Sequence, residues 1–371
     1  MQPFTDERHE RLREKVRELV RGLAARDGDE RSPARVLADA GLLKLCVPSA
    51  FGGVAEGVSS LALVVTREVL AGEAADCDAA LAVQTLAALP VAWVGSKEQR
   101  ERWLPAIASG REVAAFALTE RGSGSDVAAI ATTARREGDA YVLSGEKVLI
   151  SGAATSTVLV LFARTGAPDD KRGISAFLVP RASAGLTVEA VETMGDHALG
   201  TVRLDGVRVP ELARIGAEGE GLALALRALE VMRPTVGAAA CGMAARALAE
   251  AGAVVRERRR GGAPLAEHES VRMRLGELAT ELEAARLLVY RAAWLRENTA
   301  ADTRLDRESA MAKLFATEAA ARIVDAALQL HGGAGVLRGS VIERLYREVR
   351  ALRIYEGASE ILKLIVARAA L

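Results

Sequence analysis

Apolar positions recur at three- and four-residue spacing over residues 5–25, where Leu12, Val16, Leu19, Val20 and Leu23 fall on one helical face. The same period runs through 36–45, 61–70 and 79–93, with Pro48, Gly52-Gly53 and Gly95-Ser96 as the turn signals between them. Ser96 before Lys97-Glu98-Gln99 reads as an N-cap followed by an acid and an amide in the first turn. Near Val113 the pattern changes to alternating or β-branched runs at 113–118, 141–143, 148–150, 158–162, 174–179, 186–191 and 202–209. Short strands at this pace, with no helical stretch between them, predict an antiparallel sandwich or barrel. After the glycine-rich turn 216–221 the helical period returns at 222–229, 235–251, 271–294, 307–330 and 341–352, enough for a four- or five-helix bundle. The expectation is a multi-domain α+β chain: a helical domain over 1–112, a β domain over 113–215 and a helical bundle over 216–371. Only the loop 256–262 reads as disordered.

Composition narrows the classes. Lys plus Arg equals Asp plus Glu at 49 each, which argues against a nucleic-acid binder and against a surface built for anionic membranes. Apolar residues make up 50% and aromatics 4%, the profile of a compact, Ala- and Leu-rich helical protein. Cys46, Cys77 and Cys241 are isolated, with no metal-ligand spacing, and read as small buried hydrophobes in a reducing cytoplasm. The first residues alternate acids and bases rather than forming an export signal, and no run is expected to reach the roughly 18 apolar residues that cross a bilayer.

Candidate chemistry sits in loops. Phe116-Ala117-Leu118-Thr119-Glu120 leads into Gly122-Ser123-Gly124-Ser125-Asp126, a hydroxyl-bearing glycine loop that is either a turn or a cradle for a phosphate or a heteroaromatic ring. Ser151 follows the run Lys147-Val148-Leu149-Ile150, and Gln329 opens the loop Gln329-Leu330-His331-Gly332-Gly333. The basic knot Arg256 to Arg260 suits a diphosphate or is a solvated loop. Arg344, Arg347, Arg350 and Arg353 lead into Tyr355-Glu356-Gly357. A carboxylate in a tight, partly apolar turn there is either a helix end or a general base with a raised pKa.

Taken in order, these motifs resemble the acyl-CoA dehydrogenase family of flavoproteins over nearly the whole chain. The likeness rests on Val47-Pro48 with Gly52-Gly53, Gly95-Ser96-Lys97-Glu98-Gln99, Leu104-Pro105, Leu118-Thr119-Glu120 with Gly124-Ser125-Asp126, and Leu143-Ser144-Gly145-Glu146-Lys147. It continues through Gly173 to Val179, Val207-Arg208-Val209-Pro210, Glu218-Gly219-Glu220-Gly221, Arg233-Pro234, Ala310-Met311-Ala312-Lys313, and Arg353 to Glu360.

The resemblance implies FAD as cofactor, with Phe116, Leu118, Thr119 and Leu149 along the flavin ring, Ser151 near its N5 edge and Ser125 beside the flavin or the substrate's pantetheine arm. It implies Arg258 at the diphosphate of a neighbouring subunit, Gln329 and Gly333 at the adenine half, and Glu360 among the cofactor contacts. Glu356 matches the catalytic base; Arg233, Tyr355 and Gly357 would meet the substrate, and Glu230 reads either as a substrate contact or as a solvated helix residue. The base position used by another branch is Met232 here. The implied partners are an acyl-CoA or acyl-carrier-protein thioester, an electron-transfer flavoprotein and a second copy of the chain in a homodimer or homotetramer, with no nucleic acid and no membrane. Four positions depart from the family pattern: Leu149 replaces a flavin-side tryptophan, Gly195-Asp196-His197 a Gly-x-Arg segment, Gly261 a phenylalanine and Ala358 a threonine. With these changes and its Ala- and Arg-rich composition, the chain resembles secondary-metabolism members that act on acyl-carrier-protein thioesters, among them enzymes of the methoxymalonyl branch of polyketide extender-unit synthesis, which implies a small, hydroxylated acyl group. Two alternatives stand beside that reading. An oxygen-using oxidase or monooxygenase of the same fold is disfavoured, as a monooxygenase, by Glu356. A scaffold with a decayed flavin site leaves Glu356, Thr119, Ser125 and Ser151 without an explanation.

Overall fold

The computed structural model describes all residues except 1–2, 25–31, 168–169, 171–172, 196 and 301–302. Its residues assort into two compact units, one holding 1–29, 60–78 and 230–371, the other 30–59 and 79–229. The N-terminal helical stretch is therefore shared between two cores.

The first unit is helical. It contains α1 (Glu7–Ala24), α3 (Ser60–Glu73), the start of α4 (Ala75–Val94) and most of α6 (Gly221–Glu257). The chain then continues as α7 (Glu269–Asn298), α8 (Asp306–His331), α9 (Val341–Leu352) and α10 (Ser359–Ala370). The separate helical stretches expected at 222–229 and 235–251 are one helix: α6 runs unbroken for 37 residues with Pro234 inside it. A proline costs one hydrogen bond to the carbonyl four residues back. Here the apolar stripe Val236, Ala240, Ala244, Ala247 and Ala251 is buried against Val289, Ala316 and Ile323, and that packing outweighs the lost bond. Small residues bring backbones close: a Cβ at Gly242 would lie 2.0 Å from the Glu68 carbonyl oxygen, and one at Gly72 would lie 2.9 Å from that of Gly242. Ser340 caps α9 by accepting from the Glu343 N–H at 3.3 Å, and Ile342, Leu345, Val349 and Leu352 form its buried face.

The second unit is a sheet flanked by α2 (Pro33–Asp39), the rest of α4 and α5 (Lys97–Ala108). The expected helix over 36–45 divides at Gly41, which takes a left-handed φ of 70° and starts a 3-10 turn, Leu42–Cys46. Ser96 and Gln99 form the expected capping box of α5, and the Gln99 amide also donates to the Leu212 and Arg214 carbonyls at 2.8 and 2.9 Å. The strands are β1 (Ala114–Ala117), β2 (Thr133–Glu137), β3 (Ala140–Ser151), β4 (Val158–Arg164), β5 (Ile174–Pro180), β6 (Leu186–Val191), β7 (Leu199–Pro210) and β8 (Arg214–Ile215). They order as β6-β7-β3-β2-β4-β5-β8, and β1 pairs β4 in parallel.

That parallel pair departs from the antiparallel expectation, and β4 explains it: every residue from Val158 to Arg164 is buried, the unalternating run of a strand covered on both faces. Strand β2 was not legible because Thr133-Ala134-Arg135-Arg136-Glu137 is mostly polar. The two runs at 141–143 and 148–150 are one strand, β3, with register shifts at 143/145 and 147/150.

Two further expectations are corrected. Among the described residues α4 and α6 are long and apolar enough to span a bilayer, with mean hydropathies of 1.5 and 1.3; alanine supplies much of that apolarity, and 67% and 56% of their most apolar windows are buried inside the protein. The stretch 256–262 is not disordered: after α6 ends, β9 (Arg259–Arg260) and β10 (Ala263–Pro264) pair as a small hairpin. Cys46, Cys77 and Cys241 are buried and unbridged, as expected.

Candidate functional site: the turn between α9 and α10 and the loops after β1 and β3

The helical unit ends α9 with Ile354 and Tyr355, whose N–H groups both reach back to the Ala351 carbonyl. The chain then reverses through Glu356 and Gly357 at φ values of 53° and 102°. Glu356 and Leu149 are the non-glycine residues among those described that adopt a left-handed backbone. Such a conformation costs about 1 kcal/mol or more for an L side chain and persists only where its surroundings hold it. Several groups hold this turn. The Arg233 Nε donates to the Glu356 carbonyl at 3.4 Å, Lys313 Nζ to the Gly357 carbonyl at 2.7 Å, and the Ser359 N–H to the Arg353 carbonyl at 3.1 Å. Arg353 and Ser359 are joined through Glu318, at 2.8 and 2.5 Å.

The Glu356 carboxyl is set among charges. Arg67 on α3 is fully buried in a two-point ion pair with Asp78, at 2.7 and 2.8 Å, and donates to Thr235 Oγ1 at 2.8 Å. Lys313 and Arg233 approach from α8 and α6. Burial raises the pKa of Glu356, and Asp78 adds to it, while Arg67, Lys313 and Arg233 pull it down. Burial also pushes Lys313 down to about 8, against the pull of Glu356. Oε2 of Glu356 is buried without a hydrogen-bond partner, and so is Nη1 of Arg233. Two buried polar atoms without a hydrogen-bond partner lie in one cluster, although Nη1 of Arg233 has the Asp306 carboxylate 3.9 Å away. The turn is thus no solvated helix end.

Glu230 is not a solvated residue either: it is buried, accepts from the Leu305 N–H at 3.1 Å and lies 3.5 Å from Arg296. Burial raises its pKa. Tyr355 is partly exposed beside the turn, and Glu360 is exposed in the first turn of α10, where it acts on the Lys313 charge. Arg258 donates to the Leu330 carbonyl at 3.1 Å and its guanidinium covers Gly332, which brings it to the end of α8. The expected loop from Gln329 starts later than the sequence suggests: Gln329 lies in the last turn of α8, and only Gly332 and Gly333 leave the helix.

The β unit collects the remaining residues at the ends of β1 and β3. Phe116 packs against Phe162 at 4.8 Å, Leu118 turns its side chain inward, and Thr119 and Ser151 are half-buried. Ser125 and Leu149 are exposed, the latter by 55%. Beneath them lies a pair that sequence reading passed over. Lys147, wholly buried, donates to the Leu118 carbonyl at 3.1 Å and to Glu120 at 2.7 Å, while Glu120 accepts from the Ala131 and Thr132 N–H groups at 2.6 and 3.0 Å. This pair and the Val148 N–H bond to the Thr119 carbonyl fasten the loop to β3. His197, which the sequence shows only as part of a departure from the family pattern, places its Nε2 2.7 Å from Ser151 Oγ. The sequence signals for Glu120, Lys147 and Lys313 were their motifs; for Arg67 and Asp78 there was none.

Hydroxyls at Thr119, Ser125 and Ser151, an exposed apolar Leu149 on a strained backbone, and Gly122 and Gly124, whose Cβ positions meet no atom within 4 Å, fit a flat heteroaromatic ring with a polar edge. Arg258 beside Gln329 and Gly333 fits a phosphate. FAD offers both kinds of group.

Comparison with known proteins agrees. The acyl-CoA dehydrogenase N-terminal, middle and C-terminal domains match residues 6–111, 115–207 and 219–371. The chain is 36% identical to the cyclohexane-1-carbonyl-CoA dehydrogenase of Geobacter metallireducens, over 97% of this chain and 95% of that one. It is 37% identical to the mitochondrial short-chain specific acyl-CoA dehydrogenase of Bos taurus, over 97% and 89%. The solved butyryl-CoA dehydrogenase of Megasphaera elsdenii superposes with a TM-score of 0.91 at 25% identity, covering 99% of this chain and 98% of that one. A chain solved in work on the electron transferring flavoprotein of Acidaminococcus fermentans superposes at 0.93 and 29%, with full coverage of both.

Proposed function

The chain belongs to the acyl-CoA dehydrogenase family, and from that premise we propose that it oxidises a small acyl thioester with Glu356 as the base. It is an FAD-dependent acyl-CoA dehydrogenase. The observation that carries the assignment of the base is the Glu356 carboxyl: buried, raised in pKa, and presenting an oxygen with no protein partner. A base that is ionised but poorly stabilised is the state from which removal of a weakly acidic proton alpha to a thioester carbonyl is least uphill. Bound FAD supplies the acceptor for the hydride that leaves the beta carbon. Arg233 and Lys313 hold the turn from which Glu356 would reach the alpha carbon, and the Glu120–Lys147 pair fixes the loop whose Leu118 and Thr119 would hold the cofactor.

A small acyl group is supported by the short-chain and butyryl-CoA names of the relatives. The substitution of Leu149 for an aromatic residue supports a secondary-metabolism substrate and leaves a carrier-protein thioester as a candidate. An electron-transfer flavoprotein as oxidant, a dimer or tetramer completed through Arg258, and a cytoplasmic location for a chain with buried, unbridged thiols complete the proposal.

The test is anaerobic flavin bleaching with acyl-CoA and acyl-carrier-protein thioesters of increasing chain length, for the wild type and Glu356→Gln. The variant is expected to retain flavin and to lose bleaching by about 10²–10⁴-fold or more. Near-normal bleaching would remove Glu356 from the reaction. A preference for long chains would remove the small-acyl assignment.

A further inference from the structure

We infer that Lys313 is a positioning residue for the acid–base step: clamped to the Gly357 carbonyl, it holds the left-handed Glu356–Gly357 turn and supplies a countercharge to the Glu356 carboxyl. The inference rests on the reading of Glu356 as base. Three observations carry it. Lys313 is wholly buried, so its ammonium is out of contact with bulk solvent. Its hydrogen bond, at 2.7 Å, goes to the residue next to Glu356, which fixes the direction in which that carboxyl leaves the turn. The other nearby cations are differently placed. Arg67 is already neutralised by Asp78 at 2.7 Å, and Arg233 is 3.9 Å from Asp306. An arginine does not titrate in the working range of an enzyme; a lysine lowered to about 8 does.

Tyr355, whose pKa burial raises and Glu356 raises further, faces this pair beside the charged groups. Lys313 is acted on by Glu356, by Arg233 of α6, by Glu318 of its own helix and by Glu360 of α10. Glu356 is acted on by Arg67, Lys313, Arg233 and Asp78. While Lys313 keeps its proton, Glu356 ionises more readily; when Lys313 loses it, Glu356 holds its own proton to higher pH.

The experiment is an infrared titration of the Glu356 carboxyl in the holoenzyme without substrate, with glutamate isotope labelling and Glu356→Gln as the control that assigns the band. Lys313→Met is expected to move the loss of the protonated band up by one pH unit or more and, below that point, to lower the rate of flavin bleaching about tenfold, with substrate affinity little changed. Lys313→Arg keeps the charge and is expected to titrate as the wild type does below pH 8. Reciprocity provides a check on an isosteric variant: in Glu356→Gln the Lys313 ammonium, followed by lysine carbon resonances, must titrate lower by the same amount. A Glu356 band that titrates alike in wild type and Lys313→Met, or a Lys313 that titrates alike in wild type and Glu356→Gln, overturns the inference. Should Glu356 not be the base, Glu356→Gln still bleaches while both titrations still shift.

Discussion

Two buried lysine–glutamate sites in this protein use the same ingredients to opposite ends. In the β unit Lys147 is pushed to about 8 by burial, as Lys313 is in the helical unit. Their carboxylate neighbours part company. Burial alone would raise Glu120, but Lys147 and the Ala131 and Thr132 donors outweigh it and hold the carboxyl below its usual range. Glu356 has one oxygen without a donor, sits on a left-handed backbone and is raised. The difference is the number of hydrogen bonds made. A closed network fastens a loop, whereas an open one keeps a carboxylate reactive at a cost the surrounding fold must bear.

The comparison can be broken from either side. Asp78→Ala strips Arg67 of its partner and leaves a buried, uncompensated guanidinium. The expected loss is about 3–5 kcal/mol in urea unfolding. Removing Asp78 also removes a group that raises Glu356, so the acid limb of the bleaching rate should move to lower pH. Unchanged stability would mean that the pair is solvated in solution.

Lys147→Met opens the closed site by leaving Glu120 without its cation, and about 3 kcal/mol of stability should be lost at pH 7. The sign of its pH dependence follows from a folded-state value below the ordinary 10.5. Between about 8 and that value the folded chain binds fewer protons than the unfolded chain, so this group adds stability as pH rises. The gap between wild type and variant should therefore widen by roughly 1–2 kcal/mol from pH 8 to pH 10. A flat gap would show that Lys147 titrates as an exposed lysine does.

The smallest effect tests the other strained residue. Leu149→Gly relieves a left-handed leucine and should change stability by no more than about 1 kcal/mol, on the stabilising side. FAD should dissociate faster, because an exposed apolar surface has been removed. Slower or unchanged dissociation would mean that Leu149 is strained for some purpose other than the cofactor.

Much of this was legible in sequence because it is local. The face of α9, the cap at Ser96, the unbroken apolar run of β4 and the motif around Glu356 each declare themselves within a few residues. The remainder depends on partners far apart in the chain. Arg67 finds Thr235 at a separation of 168 residues and Lys313 finds Gly357 at 44, and no period or spacing announces either. The stretches 222–229 and 235–251 read as separate because the helical period is not continuous between them; the packing that joins them into α6 is supplied by α7 and α8. Strand β2 is polar, so its place in the sheet follows from neighbours and not from its side chains.

The glycine contact between α3 and α6 has a mechanical consequence. Helix α3 carries Arg67 and helix α6 carries Arg233, and the two meet main chain to main chain at Gly242 and Glu68. Side chains change rotamer and slide; backbones in contact do neither cheaply. The distance between those two arginines is therefore gauged by the thickness of a peptide unit, with no flexible spacer in the stack. A methyl group at position 242 would act as a shim, driving the helices apart and detuning a carboxyl that it never touches.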